Sequence, residues 1–218
     1  MKIGITLLVC TVLCSRPGFA VPKVHVIAFG KWTVIKVAED DEGTPVEMKT
    51  RPLLVDGRTK EFTVGPAHDV TDRTFVVQHM YRLNDSLPQE NGPPRWRWER
   101  GGWLLVDRVS GKIQQLTLPE FDSQYSEISW FRNYAAYCGV SDDGQTGFAV
   151  IVQLGRRKPL LKKAIGEGTL QSPLCTSPTW RRNPLRIIFS TPNDHSLIFT
   201  VKSRAVDLAT EDANEAEE

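Results

Sequence analysis

Apolar and polar positions alternate along most of this chain with a period near two. The runs are five to eight residues long, β-branched and aromatic, and are broken by Gly, Pro, Asn and Asp. Such runs predict strands. The three-to-four spacing of an amphipathic helix is almost absent. The predicted strands fall into four groups of four. The first holds 24–29, 32–37, 51–55 and 61–64, and the second 74–83, 95–98, 103–107 and 112–118. The third holds 127–131, 133–140, 148–154 and 158–161, and the fourth 179–181, 185–190, 196–201 and 205–208. Asp56-Gly57, Ser110-Gly111, Asp142-Asp143-Gly144 and Pro192-Asn193-Asp194 supply turn chemistry between them. An Asx-Gly pair relaxes the positive φ that a tight hairpin demands.

A motif recurs across the groups. Pro52-Leu53-Leu54-Val55-Asp56 turns into Lys60–Val64, and Trp103-Leu104-Leu105-Val106-Asp107 turns into Lys112–Leu116. Weaker copies begin at Ala149 and Leu197. Leu53, Leu104, Val150 and Leu197 lie 51, 46 and 47 residues apart. Four-stranded units at this period predict an all-β fold, a small β-propeller or propeller-like array. A two-sheet β-sandwich uses the same strands and stays open as an alternative.

Trp130–Tyr137, then Ser141-Asp142-Asp143-Gly144, then the run Phe148–Leu154, looks like one blade of a TolB-type or WD-type propeller. In such blades a tryptophan-bearing inner strand precedes a strand, an Asp-Gly hairpin and a further strand. The resemblance implies a scaffold that mostly binds partners and sometimes hosts an enzyme.

The ends of the chain read differently from its middle. Lys2, the apolar run Ile3–Leu13 and the small residues of Gly18-Phe19-Ala20 have the layout of a signal peptide, 1–20, cleaved before Val21. Residues 21–208 form a single β-repeat domain, and 209–218 read as a disordered acidic tail. Without the signal the chain carries 25 basic and 26 acidic residues, which is no footprint for nucleic acid. No later stretch is long and apolar enough to span a bilayer. A secreted or periplasmic destination follows, and there an even pair of cysteines, Cys138 and Cys175, reads as a disulfide. Asn84-Asp85-Ser86 fits a glycosylation acceptor pattern.

Two stretches carry candidate binding chemistry. In Arg95-Trp96-Arg97-Trp98, period two puts the indoles on one face and the guanidinium groups on the other, with Trp103 further along. Indoles beside guanidinium groups suit a sugar ring or an anionic partner. The bland reading packs the tryptophans in a core. The second stretch is basic, with Arg156, Arg157, Lys158, Arg181 and Arg182 at its heart, and suits an anionic polymer or an acidic peptide. A charged edge strand that resists aggregation explains it equally well.

Catalytic signals are thin. His25, His68, His79 and His195 are scattered with no metal-ligand spacing, so neither metal nor cofactor is expected. His68 with Asp69 and Asp72 resembles a base and its orienter, and Asp40-Asp41-Glu42 and Asp142-Asp143-Gly144 resemble weak calcium loops. The expectation is an exported, non-catalytic protein that binds a protein or envelope polymer. A polymer hydrolase, and a half-propeller that closes as a homodimer, are the alternatives.

Overall fold

The computed structural model describes residues 24–39, 45–89, 92–167, 175–191, 196–202 and 205–208. The expected signal, the acidic tail, Asp40-Asp41-Glu42, Pro192-Asn193-Asp194 and His195 lie outside these. Among the described residues every regular element is a strand, and all pairing is antiparallel.

The first sheet has seven strands: β1 (Ile27–Phe29), β2 (Thr33–Glu39), β3 (Pro45–Val55), β4 (Arg58–Asp69), β5 (Thr74–Asn84), β6 (Trp96–Asp107) and β7 (Ile113–Gln115). Their order is β1-β3-β4-β5-β6-β7, with β2 also paired to β3. β1 meets β3 at Leu53–Val55 and β2 meets it at Pro45–Thr50. The two behave as one edge strand interrupted near Gly30, whose N–H donates to the Pro52 carbonyl at 2.8 Å. The second sheet is a meander of β8 (Ser129–Phe131), β9 (Tyr134–Val140), β10 (Thr146–Gln153) and β11 (Leu161–Glu167). The third repeats that plan with β12 (Thr179–Arg181), β13 (Arg186–Ser190), β14 (Ser196–Lys202) and β15 (Ala205–Leu208).

The third and fourth predicted groups therefore form separate four-stranded sheets, whereas the first two share one. The reason lies in strand length. β3 to β6 run 11 or 12 residues each, and β4 of the first group pairs with β5 of the second from Phe62 to Asp69, so no break separates the groups. Arg95–Trp98 and Trp103–Asp107, read as two strands, are one. Gly101-Gly102 makes a bulge inside β6 rather than a turn. The long strands coil, and β2 approaches β6 without pairing to it.

The middle sheet is apolar on both faces. Ala136 of β9 with Ala149 and Ile151 of β10 pack against Ile187, Phe189, Phe199 and Val201 of the third sheet. Ala135, Tyr137, Val150 and Val152 point the other way, onto Leu118, Phe121 and Ile128. Alternating residues serve two cores, as expected for a sheet covered on both sides. Tyr137 is fully buried, its hydroxyl donates to the Pro119 carbonyl at 2.7 Å, and burial pushes its pKa far up. A third cluster, of Leu53, Phe75, Val77, Leu104 and Val106, belongs to the first sheet and is capped by Ile27 and Phe29.

The expected disulfide is present. Cys138 on β9 joins Cys175, just before β12, with 6.1 Å between Cα atoms. It closes a loop across a sequence separation of 37 and links the second and third sheets, a constraint that stabilises by roughly 3–4 kcal/mol in the chain-entropy picture. Beside it, Gly139 is required by contact. A Cβ there would sit 2.3 Å from the Glu120 carbonyl oxygen, which accepts from the Val140 N–H at 2.9 Å. Gly139→Ala is expected to push the 116–128 segment off the middle sheet and cost about 1–3 kcal/mol in chemical unfolding. A variant as stable as the parent would contradict this close approach.

Candidate functional site, a cleft where three sheets meet

Two bulges shape the site. Between Val64 and His68, β4 carries extra residues relative to its partner β5, and Gly65 there has φ 69°. Across β5, β6 bulges at Gly101-Gly102. Both irregularities flank Gln78, whose side-chain amide donates to the Gly101 carbonyl at 3.2 Å. Bulges bend a strand and re-aim its side chains. Here they open a cleft of about 480 Å³ between the first sheet and the 126–130 segment, with Ser177 at its rim.

Aromatic rings form much of its wall. Trp130 of β8 stacks on His68 of β4 (centroids 5.8 Å apart, planes 21° apart) and meets Trp103 of β6 edge-on at 5.2 Å. His68 Nε2 lies 2.8 Å from the Arg132 carbonyl. The imidazole therefore donates from Nε2, and its Nδ1 is the acceptor when the ring is neutral. Next to Trp130, Trp180 of β12 donates its indole N–H to the Ser129 carbonyl at 3.0 Å and packs near Phe131 and Tyr134. β4, β8 and β12, one strand from each sheet, thus converge.

The polar lining is mostly engaged: Gln78 and His68 bond carbonyls, and the Ser126 hydroxyl accepts from the Asp122 N–H at 3.1 Å. Arg100 forms part of this cleft and of a neighbouring one of about 330 Å³ with Tyr125, Thr176 and Ser177. Among the described residues it makes no ion pair, and its buried Nε has no hydrogen-bond partner. The buried Nε1 of Trp130 has none either. Glu127 lines both clefts and is the one carboxylate in either lining. The arrangement offers flat apolar walls, one guanidinium, one carboxylate and several hydroxyls. That suits holding a ring with polar substituents.

The structure divides the residues singled out from sequence. Trp103 is buried in the cleft wall. Trp96 and Trp98 share a face, as the alternation requires, but lie on the far half of β6. The cation over their rings is Arg82, with its guanidinium carbon 5.2 and 5.5 Å from the ring centres. Arg97 pairs with Glu99 at 2.6 Å and, more loosely, with Asp85. The Arg95 N–H is held by Asn84 and Ser86. The basic stretch also splits. Arg156, Arg157 and Lys158 line a groove with Leu116–Pro119, whereas Arg182 lies beside Trp130 and Phe131, and Arg181 ends β12.

His68 and Asp69 are held by different partners: His68 Nε2 meets the Arg132 carbonyl, and Asp69 is bound by Arg108 at 2.6 Å. Asp143 accepts from the Ser141 hydroxyl and the Gln145 N–H, contacts that lower its pKa and close the hairpin. Among the described residues no three His, Cys, Asp or Glu side chains gather closely enough to hold a metal ion.

From sequence, Trp130 is named only for its blade-like setting, and Arg100 and Gln78 are not singled out as site residues. A signal for Trp130 was available. Ser129-Trp130-Phe131-Arg132-Asn133 and Thr179-Trp180-Arg181-Arg182-Asn183 share a hydroxyl-Trp-x-Arg-Asn pattern, and each tryptophan sits on the first strand of its meander. Comparison with protein-family models, with curated proteins and with solved structures gives no match to this chain.

The two distal tryptophans separate core from surface. Trp98 is half-buried and meets Phe62 edge-on at 5.0 Å, while Trp96 is 55% exposed. Trp98→Ala is expected to cost about 2 kcal/mol or more in unfolding experiments. Trp96→Ala should stay within about 0.5 kcal/mol of the parent. Equal losses for both would contradict the placement of Trp96 at the surface.

Proposed function

We propose that this is an exported, non-catalytic protein that binds an acidic sugar unit of an envelope or extracellular polymer in the cleft between the first sheet and the 126–130 segment. The observation that carries the reading is Arg100, a guanidinium with no acid partner among the described residues, lodged in a cleft walled by Trp103, Trp130 and His68. Aromatic faces take the apolar side of a sugar ring. An unpaired guanidinium takes a carboxylate through two parallel hydrogen bonds. Glu127 and the hydroxyls of Ser129 and Ser177 supply acceptors for ring hydroxyls. Export is supported by the disulfide and by the signal-like 1–20, and no helix among the described residues is long and apolar enough to cross a membrane.

The scaffold fits the same reading. β4–β7, β8–β11 and β12–β15 are successive four-stranded meanders, and their first strands bring His68, Trp130 and Trp180 together. We read them as consecutive propeller-like blades, whose inner strands commonly line a binding site. The hydrolase alternative has less to stand on. Glycoside hydrolysis needs two carboxylates at a defined separation, and Glu127 is alone in the lining.

Tryptophan fluorescence tests the proposal. Titration with oligogalacturonate is expected to change the emission saturably, and neutral oligoglucose is expected to bind at least about tenfold more weakly. Arg100→Gln should erase that preference while leaving the melting temperature near that of the parent. No saturable change with either sugar, or an undiminished acid preference in Arg100→Gln, would contradict the reading.

A further inference from the structure

On the far side of the His68–Trp130 stack lies a second pocket of about 390 Å³, formed by His68, Asp69, Val70, Trp130, Phe131, Arg132 and Arg182. From this pocket we infer a separate site for a tetrahedral oxyanion, a phosphate or sulfate group, clamped between Arg132 and Arg182. The inference is independent of what the larger cleft binds.

Three observations converge. The guanidinium carbons of Arg132 and Arg182 each lie 5.5 Å from the centre of the Phe131 ring. Cation–π contact orients both groups beside one ring and leaves their N–H edges available. Second, neither arginine makes an ion pair or side-chain hydrogen bond among the described residues. The one acid in the pocket, Asp69, is already held by Arg108 at 2.6 Å. Two like charges thus line one pocket whose single acid among the described residues is already engaged, an arrangement that an anion relieves. Third, Arg132 has φ 52°, in the left-handed region where a bulky side chain is disfavoured. It follows Phe131 in the β8–β9 turn, where Gly or Asn would be at ease. Its carbonyl is pinned by His68 at 2.8 Å. Strain at a polar turn residue, held by a second element, is the pattern of a position kept for binding. Solvated arginines on a charged edge would account for the charge, but not for the shared ring or for the pinned turn.

Two planar forks suit the several oxygens of a tetrahedral anion. The group has two possible sources, a free inorganic ion or a substituent on a polymer. Isothermal titration of the whole protein with inorganic phosphate, inorganic sulfate and dextran sulfate, at constant chloride, tests the inference and separates the sources. All three probes are expected to bind, dextran sulfate most tightly if the source is a polymer, because neighbouring groups raise the effective concentration. Arg132→Gln and Arg182→Gln should each weaken inorganic sulfate about tenfold. Arg58→Gln, the same charge change at the opposite end of β4, should not. Circular dichroism melts confirm that each variant is folded. The inference fails if neither inorganic ion binds. It fails equally if Arg58→Gln weakens binding as much as Arg182→Gln, which marks diffuse attraction, or if both arginine variants, folded, bind sulfate like the parent.

Discussion

The indole of Trp130 is the constraint on which this structure turns. One face of the ring lies on His68 of the first sheet, Trp103 of that same sheet meets it edge-on, and Trp180 of the third sheet bonds the carbonyl of the residue before it. Offset and edge-on aromatic pairs are worth about 0.5–1.5 kcal/mol each beyond their buried area. Here they also fix direction, since each contact joins a different strand to β8. Without that junction the middle sheet would keep its two cores, but the first sheet would lose ring contacts that anchor it beside the other two.

The cleft follows from how the first sheet reaches the junction. A regular seven-stranded sheet would present a continuous face and pack without a gap. The bulges on both sides of Gln78 bend it away, and the Gln78 amide satisfies a carbonyl that the broken ladder exposes. Space then remains beside Trp103 and Trp130, and Arg100 enters it at the end of the β6 bulge. The same rings that join the sheets therefore also wall the cleft. Packing and the proposed binding fall to one cluster, with Trp180 donating its N–H to structure and Trp130 keeping its own unpartnered among the described residues.

Much of the fold was legible in the chain. Period-two alternation marks the strands of the second and third sheets to within a residue or two, because those strands are short and bounded by Asx-Gly and Pro-rich turns. The exception is β11, read at 158–161 but running Leu161–Glu167, where Lys162-Lys163 obscures the alternation. The same alternation misleads in β6. There the Gly101-Gly102 pair looks like a turn but acts as a bulge, and the difference depends on which residues of β5 lie opposite. The disulfide was readable from compartment and parity. The site was less so. Trp103 was visible as part of a tryptophan-rich run, yet its neighbours Trp96 and Trp98 belong to another part of β6. Arg100, next to the glycine pair, differs from Arg97 in making no ion pair among the described residues, and nothing local in the sequence marks that. Trp130 was quoted for its blade-like setting. Its importance rests on His68, Trp103 and Trp180, which are distant in sequence and meet it only through topology.

The most direct test is a crystal structure of the protein grown with digalacturonate. The account predicts one sugar ring against Trp103 or Trp130, with its carboxylate paired to Arg100 in the cleft. Electron density for the sugar only at the distal Trp96 surface, with Arg100 instead engaged by a protein carboxylate, would contradict it.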